Sequence, residues 1–188
     1  GFLAECNNEN YKEKILDIQQ GNYHIEDRML LNVSSFENNI NYDIINELVV
    51  DRRDSARTIK TNIEISGKFA NTYESDEIII STPTGSTAYS LSAGGPIVSH
   101  GIKSLIITPI SAHSLSARPI VIDSDKIINV KFPDNIDKIS IVSDGQNQKI
   151  INSDCRIEIK QSKKDAKFII TNHMETYYSK LKTKIGFK

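Results

Sequence analysis

Ile78-Ile79-Ile80-Ser81-Thr82-Pro83-Thr84-Gly85-Ser86-Thr87-Ala88-Tyr89-Ser90-Leu91-Ser92-Ala93-Gly94-Gly95-Pro96 is the passage on which the reading of the fold turns. Three β-branched residues in a row read as a strand. Pro83 has no amide hydrogen and should stop that strand from pairing further. Beyond it, small and hydroxyl-bearing residues crowd a turn. Gly85 is free to take positive φ and lets the backbone approach a ligand closely. Ser86 and Thr87 are placed to cap a short helix whose free N–H groups face outward.

Similar β-branched runs recur on both sides. Residues 29–33, 44–50 and 59–65 read as strands before 78–80, and 105–107, 120–122, 127–132, 139–142, 157–159 and 168–170 after it. Ser66-Gly67 and Asp144-Gly145 are hairpin signals, and Lys163-Lys164-Asp165 fits the tip of a polar loop. Residues 10–20 read as a helix, with Tyr11, Ile15 and Ile18 spaced along one buried face, Asn10 as its N-cap and Gly21 as its stop. Tyr177, Tyr178, Leu181 and Ile185 fit a short terminal helix or an extended tail. Some ten strands with a helix near each end predict a mainly β chain, a β-sandwich and not a βαβ array.

The charge balance narrows the partners. Lys and Arg total 23 against 24 Asp and Glu, a net charge of −1, so no basic face is expected for nucleic acid or an anionic membrane. Cys6 and Cys155 form no CxxC and are too few for a disulfide framework, which fits a reduced, cytoplasmic setting. No apolar run reaches the roughly 20 residues of a membrane span. Gly1-Phe2-Leu3-Ala4 lacks the features of a signal peptide, and the missing initiator Met points to a trimmed chain or a fragment.

Three segments carry candidate chemistry, and each has a plainer alternative. The 82–92 loop resembles a phosphate cradle without a P-loop lysine or a GxGxxG. Its hydroxyls and Tyr89 suit a nucleoside lying against backbone, yet a capped strand-to-helix turn explains the same residues. Asn46-Glu47 interrupts an apolar run, so at least one side chain points inward and needs a partner. The amide could pair with an adenine edge and the carboxylate with ribose hydroxyls; the alternative is a solvated bulge. Ser143-Asp144-Gly145-Gln146 reads as a type I′ turn. His24, His100, His113 and His173 lack metal-ligand spacing, and only His113, after the Thr108-Pro109 break, is placed to line a pocket.

Together these segments resemble the NAD kinase family. Asn46-Glu47 is similar to its Asn-Glu motif, 82–96 to its TPTGSTAYSLSAGGP signature, and Asp144-Gly145-Gln146 to its late Asp-Gly motif. Thr108-Pro109-Ile110 with 113–119 resembles the strand and turn that follow the signature, and Gly1-Phe2-Leu3 the segment closing the family's first domain. The resemblance implies phosphorylation of the adenosine ribose 2′-hydroxyl of NAD by ATP with magnesium. It implies a two-domain enzyme assembled as a homo-oligomer, dimer or tetramer. Residues 1–22 would then be the last helix of an α/β first domain, 23–174 the all-β NAD-binding domain, and 175–188 a tail packing back toward the first domain.

Carried over residue by residue, the resemblance assigns Asn46 to the adenine or its ribose, and Glu47 and Asp144 to ribose hydroxyls. Thr84, Thr87, Ala88, Tyr89 and Ser92 would form the adenosine wall, and Asp76 and His113 would serve the far end of NAD or a neighbouring subunit. No residue is assigned to metal or to catalysis, because the family's Gly-Gly-Asp-Gly, which supplies the presumed base, does not occur among the 188 residues. The chain alone is therefore expected to be inactive. Two departures stand out: Glu77 replaces a glycine, and Glu74 stands where relatives often carry a basic residue. A nucleotide-binding or oligomerisation module without turnover is the alternative. A lipid kinase of the diacylglycerol or sphingosine type fits less well, since its acceptor has no adenine or ribose to read.

Overall fold

The computed structural model describes residues 6, 8–52, 58–114, 116–134, 138–171 and 176–186. Among them are twelve strands: β1 (Tyr23–Ser35), β2 (Ile40–Ile44), β3 (Glu47–Asp51), β4 (Ile59–Ile65), β5 (Lys68–Ser75), β6 (Glu77–Ser81), β7 (Ser104–Ile110), β8 (Ile120–Asp123), β9 (Ile128–Lys131), β10 (Lys138–Ser143), β11 (Asn147–Asn152) and β12 (Arg156–Thr171). They form two six-stranded sheets, ordered β2-β1-β12-β9-β4-β5 and β11-β10-β3-β6-β7-β8. Helices α1 (Tyr11–Gln19), α2 (Tyr89–Ser92) and α3 (Tyr177–Ile185) complete the elements, with a 3-10 turn at Gly85–Thr87. The mainly β class expected from the strand runs is the one observed. The described residues of 1–27 and 167–188 form one compact unit, and those of 28–166 a second.

Alternation puts one face of each sheet into a shared core. Leu31, Val33, Ile63, Val130 and Ile157 from the first sheet cluster with Leu48, Ile78, Ile80, Ile107 and Ile141 from the second. Each is 0% exposed, and full burial of such a side chain is worth about 1.5–3 kcal/mol. Ile79 and Ile106 are also 0% exposed but lie outside that cluster. They occupy the other face of the second sheet, over which the 82–98 segment is tied by the Ser90–Thr108 hydroxyl contact of 3.0 Å.

Several local expectations are corrected. The 44–50 run is two strands, β2 and β3, broken at Ile45-Asn46. Lys163-Lys164-Asp165 is no loop tip but the middle of the 16-residue β12; all three side chains are exposed, so an extended segment accepts consecutive charges there. β7 continues through Thr108-Pro109 to Ile110, with Pro109 one residue from the strand end, where a missing N–H is tolerated. Helix α1 forms as expected, yet its apolar stripe is open: Tyr11, Ile15 and Ile18 are 43%, 50% and 38% exposed, and Asn10 makes no side-chain cap bond. The C-terminal segment is helical, capped by Thr176, whose hydroxyl accepts from the Ser179 amide at 3.2 Å. Gly1-Phe2-Leu3 and His173 lie outside the described residues.

Candidate functional site

Antiparallel pairing brings three chain segments to one end of the second sheet. β3 begins there while β6 and β10 finish there, since Glu47 pairs with Ser81 and Leu48 with Ser143. Asp144 and Gly145 have φ of 51° and 66°, the two positive values of the type I′ turn expected between β10 and β11. The turn returns the Asp144 carboxylate to the start of β3, where it accepts from the amides of Ile45 (3.0 Å), Asn46 (2.6 Å) and Glu47 (3.3 Å).

Thr82 closes the opposite side. Its hydroxyl donates to the Ile45 carbonyl at 2.6 Å, and its amide donates to the Asn46 carbonyl at 2.9 Å. The strand break thus has all four of its backbone polar groups satisfied, by one residue from each flanking loop. Gly85 packs on the same spot: a Cβ there would overlap the backbone carbonyl of Asn46. Its role is this close approach, and its φ is not positive. Ser86, expected to cap a helix, instead sits at 0% exposure and donates to the Pro83 carbonyl at 2.6 Å while accepting from the Val98 amide at 3.0 Å. It stitches the loop shut, and the N-cap residue of neither short helical turn makes a side-chain cap bond.

On this frame Glu47 is 4% exposed, and its Oε2 has no hydrogen-bond partner. Burial first, and then the negative charge of Asp144, push its pKa up to about 7, opposed by a hydrogen bond from the Tyr89 backbone. Ser81, opposite Glu47 on the same face, is fully buried with its hydroxyl likewise unpartnered. An unsatisfied buried polar group costs about 1–3 kcal/mol. A donor supplied from outside would remove that cost.

The loop residues line up beside this end. Thr84 is buried, Thr87 and Ala88 are half-buried, Ser92 is exposed, and Tyr89 is 41% exposed. Asn46 is half-buried, with its backbone, not its side chain, engaged in the bonds above. His113 and Asp76 are not brought to this end. They sit at the far end of β6, where the His113 amide donates to the Glu74 carbonyl and the Asp76 amide to the Ile110 carbonyl, both at 2.9 Å. Sequence reasoning missed Tyr42, whose phenol lies 2.7 Å from the Ser143 hydroxyl, next to Asp144. Only its place just before the Asn46-Glu47 interruption could have drawn attention to it.

This end of a two-sheet β domain thus offers one unpartnered carboxyl oxygen, Glu47 Oε2, beside a hydroxyl-rich loop. The family model for the ATP-NAD kinase C-terminal domain matches residues 45–171, and the chain belongs to that family. An NAD kinase of Wigglesworthia glossinidia brevipalpis is 40% identical over 189 residues, covering 100% of this chain and 64% of that protein. One of Clostridium beijerinckii is 34% identical, covering 98% and 66%. The chain therefore spans just under two thirds of the length of these curated relatives. Among solved structures, yeast NADH kinase complexed with NADH is similar with a TM-score of 0.89 at 25% identity, over 100% of this chain and 56% of that one. An Archaeoglobus fulgidus NAD kinase in complex with ATP shares the fold, with a TM-score of 0.80 at 24% identity over 99% and 68%.

A divalent cation was expected from the resemblance. Among the described residues no three His, Cys, Asp or Glu side chains converge as a metal site. Asp144 spends both carboxylate oxygens on backbone amides, so the described residues do not fit a resident cation. No helix among the described residues is long and apolar enough to cross a membrane.

Proposed function

We infer that this chain is the acceptor-holding part of an NAD kinase, which transfers a phosphoryl group from ATP to the 2′-hydroxyl of the adenosine ribose of NAD. The observation that carries this reading is Glu47, a carboxylate at 4% exposure with a free Oε2, held at the end of a sheet by Asp144 and Thr82. Phosphoryl transfer asks a protein chiefly to position its reactants and to stabilise charge. Glu47 would accept from a ribose hydroxyl. Asn46 would read the adenine or its ribose, and Thr84, Thr87, Ala88, Tyr89 and Ser92 would form the wall beside it. Asp144 would act mainly by fixing the backbone of Asn46 and Glu47. His113 and Asp76, at the other end of β6, would face the remainder of the dinucleotide or a neighbouring subunit.

Magnesium would arrive with ATP, and no side chain here is assigned to either. Residues 1–22 are read as the last helix of the first domain and 175–188 as a tail packing back toward it; the described residues of 1–27 and 167–188 share one compact unit. A homo-oligomer, dimer or tetramer, acting in the cytoplasm completes the reading; the two free cysteines, Cys6 and Cys155, agree with a reducing setting.

Coupled detection of NADP from ATP, magnesium and NAD tests the function. NADP should form with a protein that adds the remaining third of the family's length, and formation should fall at least tenfold with Glu47→Ala. Equal rates in the two, or no NADP, would refute it. The 188 residues alone should bind without turnover, because the Gly-Gly-Asp-Gly that supplies the family's presumed base does not occur among them.

A further inference from the structure

Tyr89 follows the strand end where Glu47 pairs with Ser81, and its phenol donates to Glu77 Oε2 at 2.9 Å. These acids share one face of the second sheet, because Glu47 pairs with Ser81 while Asp51, two side chains further along that face, pairs with Glu77. Val49 and Ile79 pair between them, buried at 6% and 0% without belonging to the inter-sheet core. Four residues of strand span about 13 Å, so the ring is directed along this face from the Glu47 end toward the Glu77 end. The phenol responds to its surroundings: desolvation, then Glu77, then the charge of Asp51 push its pKa up to about 12. Without the bond to Glu77, a side chain that is 41% exposed would be left to choose its own rotamer.

Resting on the nucleotide reading above, we propose that Glu77 is a positioning residue for the adenosine wall. By accepting a hydrogen bond from the phenol it presets the Tyr89 ring across β3 and β6, so that an adenine nucleoside meets an ordered aromatic face. A ring ordered beforehand spares the ligand the cost of immobilising it, which for one side chain corresponds to about a three- to tenfold gain in affinity. The acceptor oxygen matters for this role and the charge does not, so Gln should replace Glu77 and Ala should not.

Two measurements on the intact chain test the proposal. In ultraviolet titration, read as the difference between the parent and Tyr89→Phe, the Tyr89 phenol should titrate well above the ordinary value of about 10. It should move down in both Glu77→Ala and Glu77→Gln. In calorimetric titration with NAD, Glu77→Ala should bind about three- to tenfold more weakly, whereas Glu77→Gln should stay near the parent. In a Tyr89→Phe background, Glu77→Ala should have no further effect. An unmoved phenol in Glu77→Ala overturns the contact. Equal losses in the Tyr and Phe backgrounds, or no loss at all, overturn the positioning role while the nucleotide reading stands. A parent chain that binds no NAD overturns the nucleotide reading, and the positioning role with it.

Discussion

Glu47 holds a carboxyl where burial resists its charge. Its pKa moves from 4.5 to about 7 in the folded chain, so between those values the folded state keeps a proton that the unfolded state has released. The group therefore favours folding most below the lower value, and that contribution is lost as the pH rises through the upper one. Relative to Glu47→Gln, the parent should lose about 2 kcal/mol between pH 5 and pH 8. Urea unfolding at the two pH values reads this directly, and parallel pH dependences would show that Glu47 is not strained. Asp144 offers a second test. Asp144→Asn keeps a residue suited to φ of 51° but turns an N–H donor toward backbone donors, and should cost about 1–3 kcal/mol in the same melts. An unchanged midpoint would contradict the clamp. The candidate status of Asn46, Glu47 and Asp144 was legible, because two polar residues in an apolar run and an Asp-Gly turn are local signals. The clamp between them was not, since it joins residues 97 to 99 positions apart.

Elements showed themselves in proportion to how much apolar surface they bury. β4, β6, β7 and β10 are read from their isoleucine runs, because each places such residues in the core. β5 and β11 escaped as strands, with only their hairpin turns recognised. Both are edge strands, and most of their side chains are exposed, so they carry no hydrophobic period. The break between β2 and β3 was half visible: the polar pair marked the place, but its backbone partners Thr82 and Asp144 lie in distant loops. At this scale the loop's close contact with the break is the feature to test. Gly85→Ala puts a methyl group into the Asn46 carbonyl, and overpacking of this kind costs about 1–3 kcal/mol. Lower stability together with weaker NAD binding is expected. A variant with the parent's melting temperature and affinity would mean that the loop is free to step back.

At the scale of the molecule, the open stripe of Tyr11, Ile15 and Ile18 on α1 awaits a covering surface. Apolar residues on one helix face normally meet a partner; the first domain, to which residues 1–22 are assigned, would supply it, and without that cover the stripe should drive self-association. Sedimentation at micromolar concentration should give a species heavier than the 21.1 kDa chain; a clean monomer would count against self-association. The fold class was readable from strand runs alone, whereas the ligand entered only with the family resemblance, because hydroxyls, an amide and a carboxylate suit many ligands until a sequence signature ties them to one. The central claim is that Asn46, Glu47, the 82–92 loop and Asp144 form one dinucleotide site, and calorimetric titration of the chain with NAD, parent against Glu47→Ala, tests it most directly. The parent should bind saturably and the variant should lose about 1.5–3 kcal/mol, roughly ten- to a hundredfold in affinity. Identical binding isotherms for the two would contradict it.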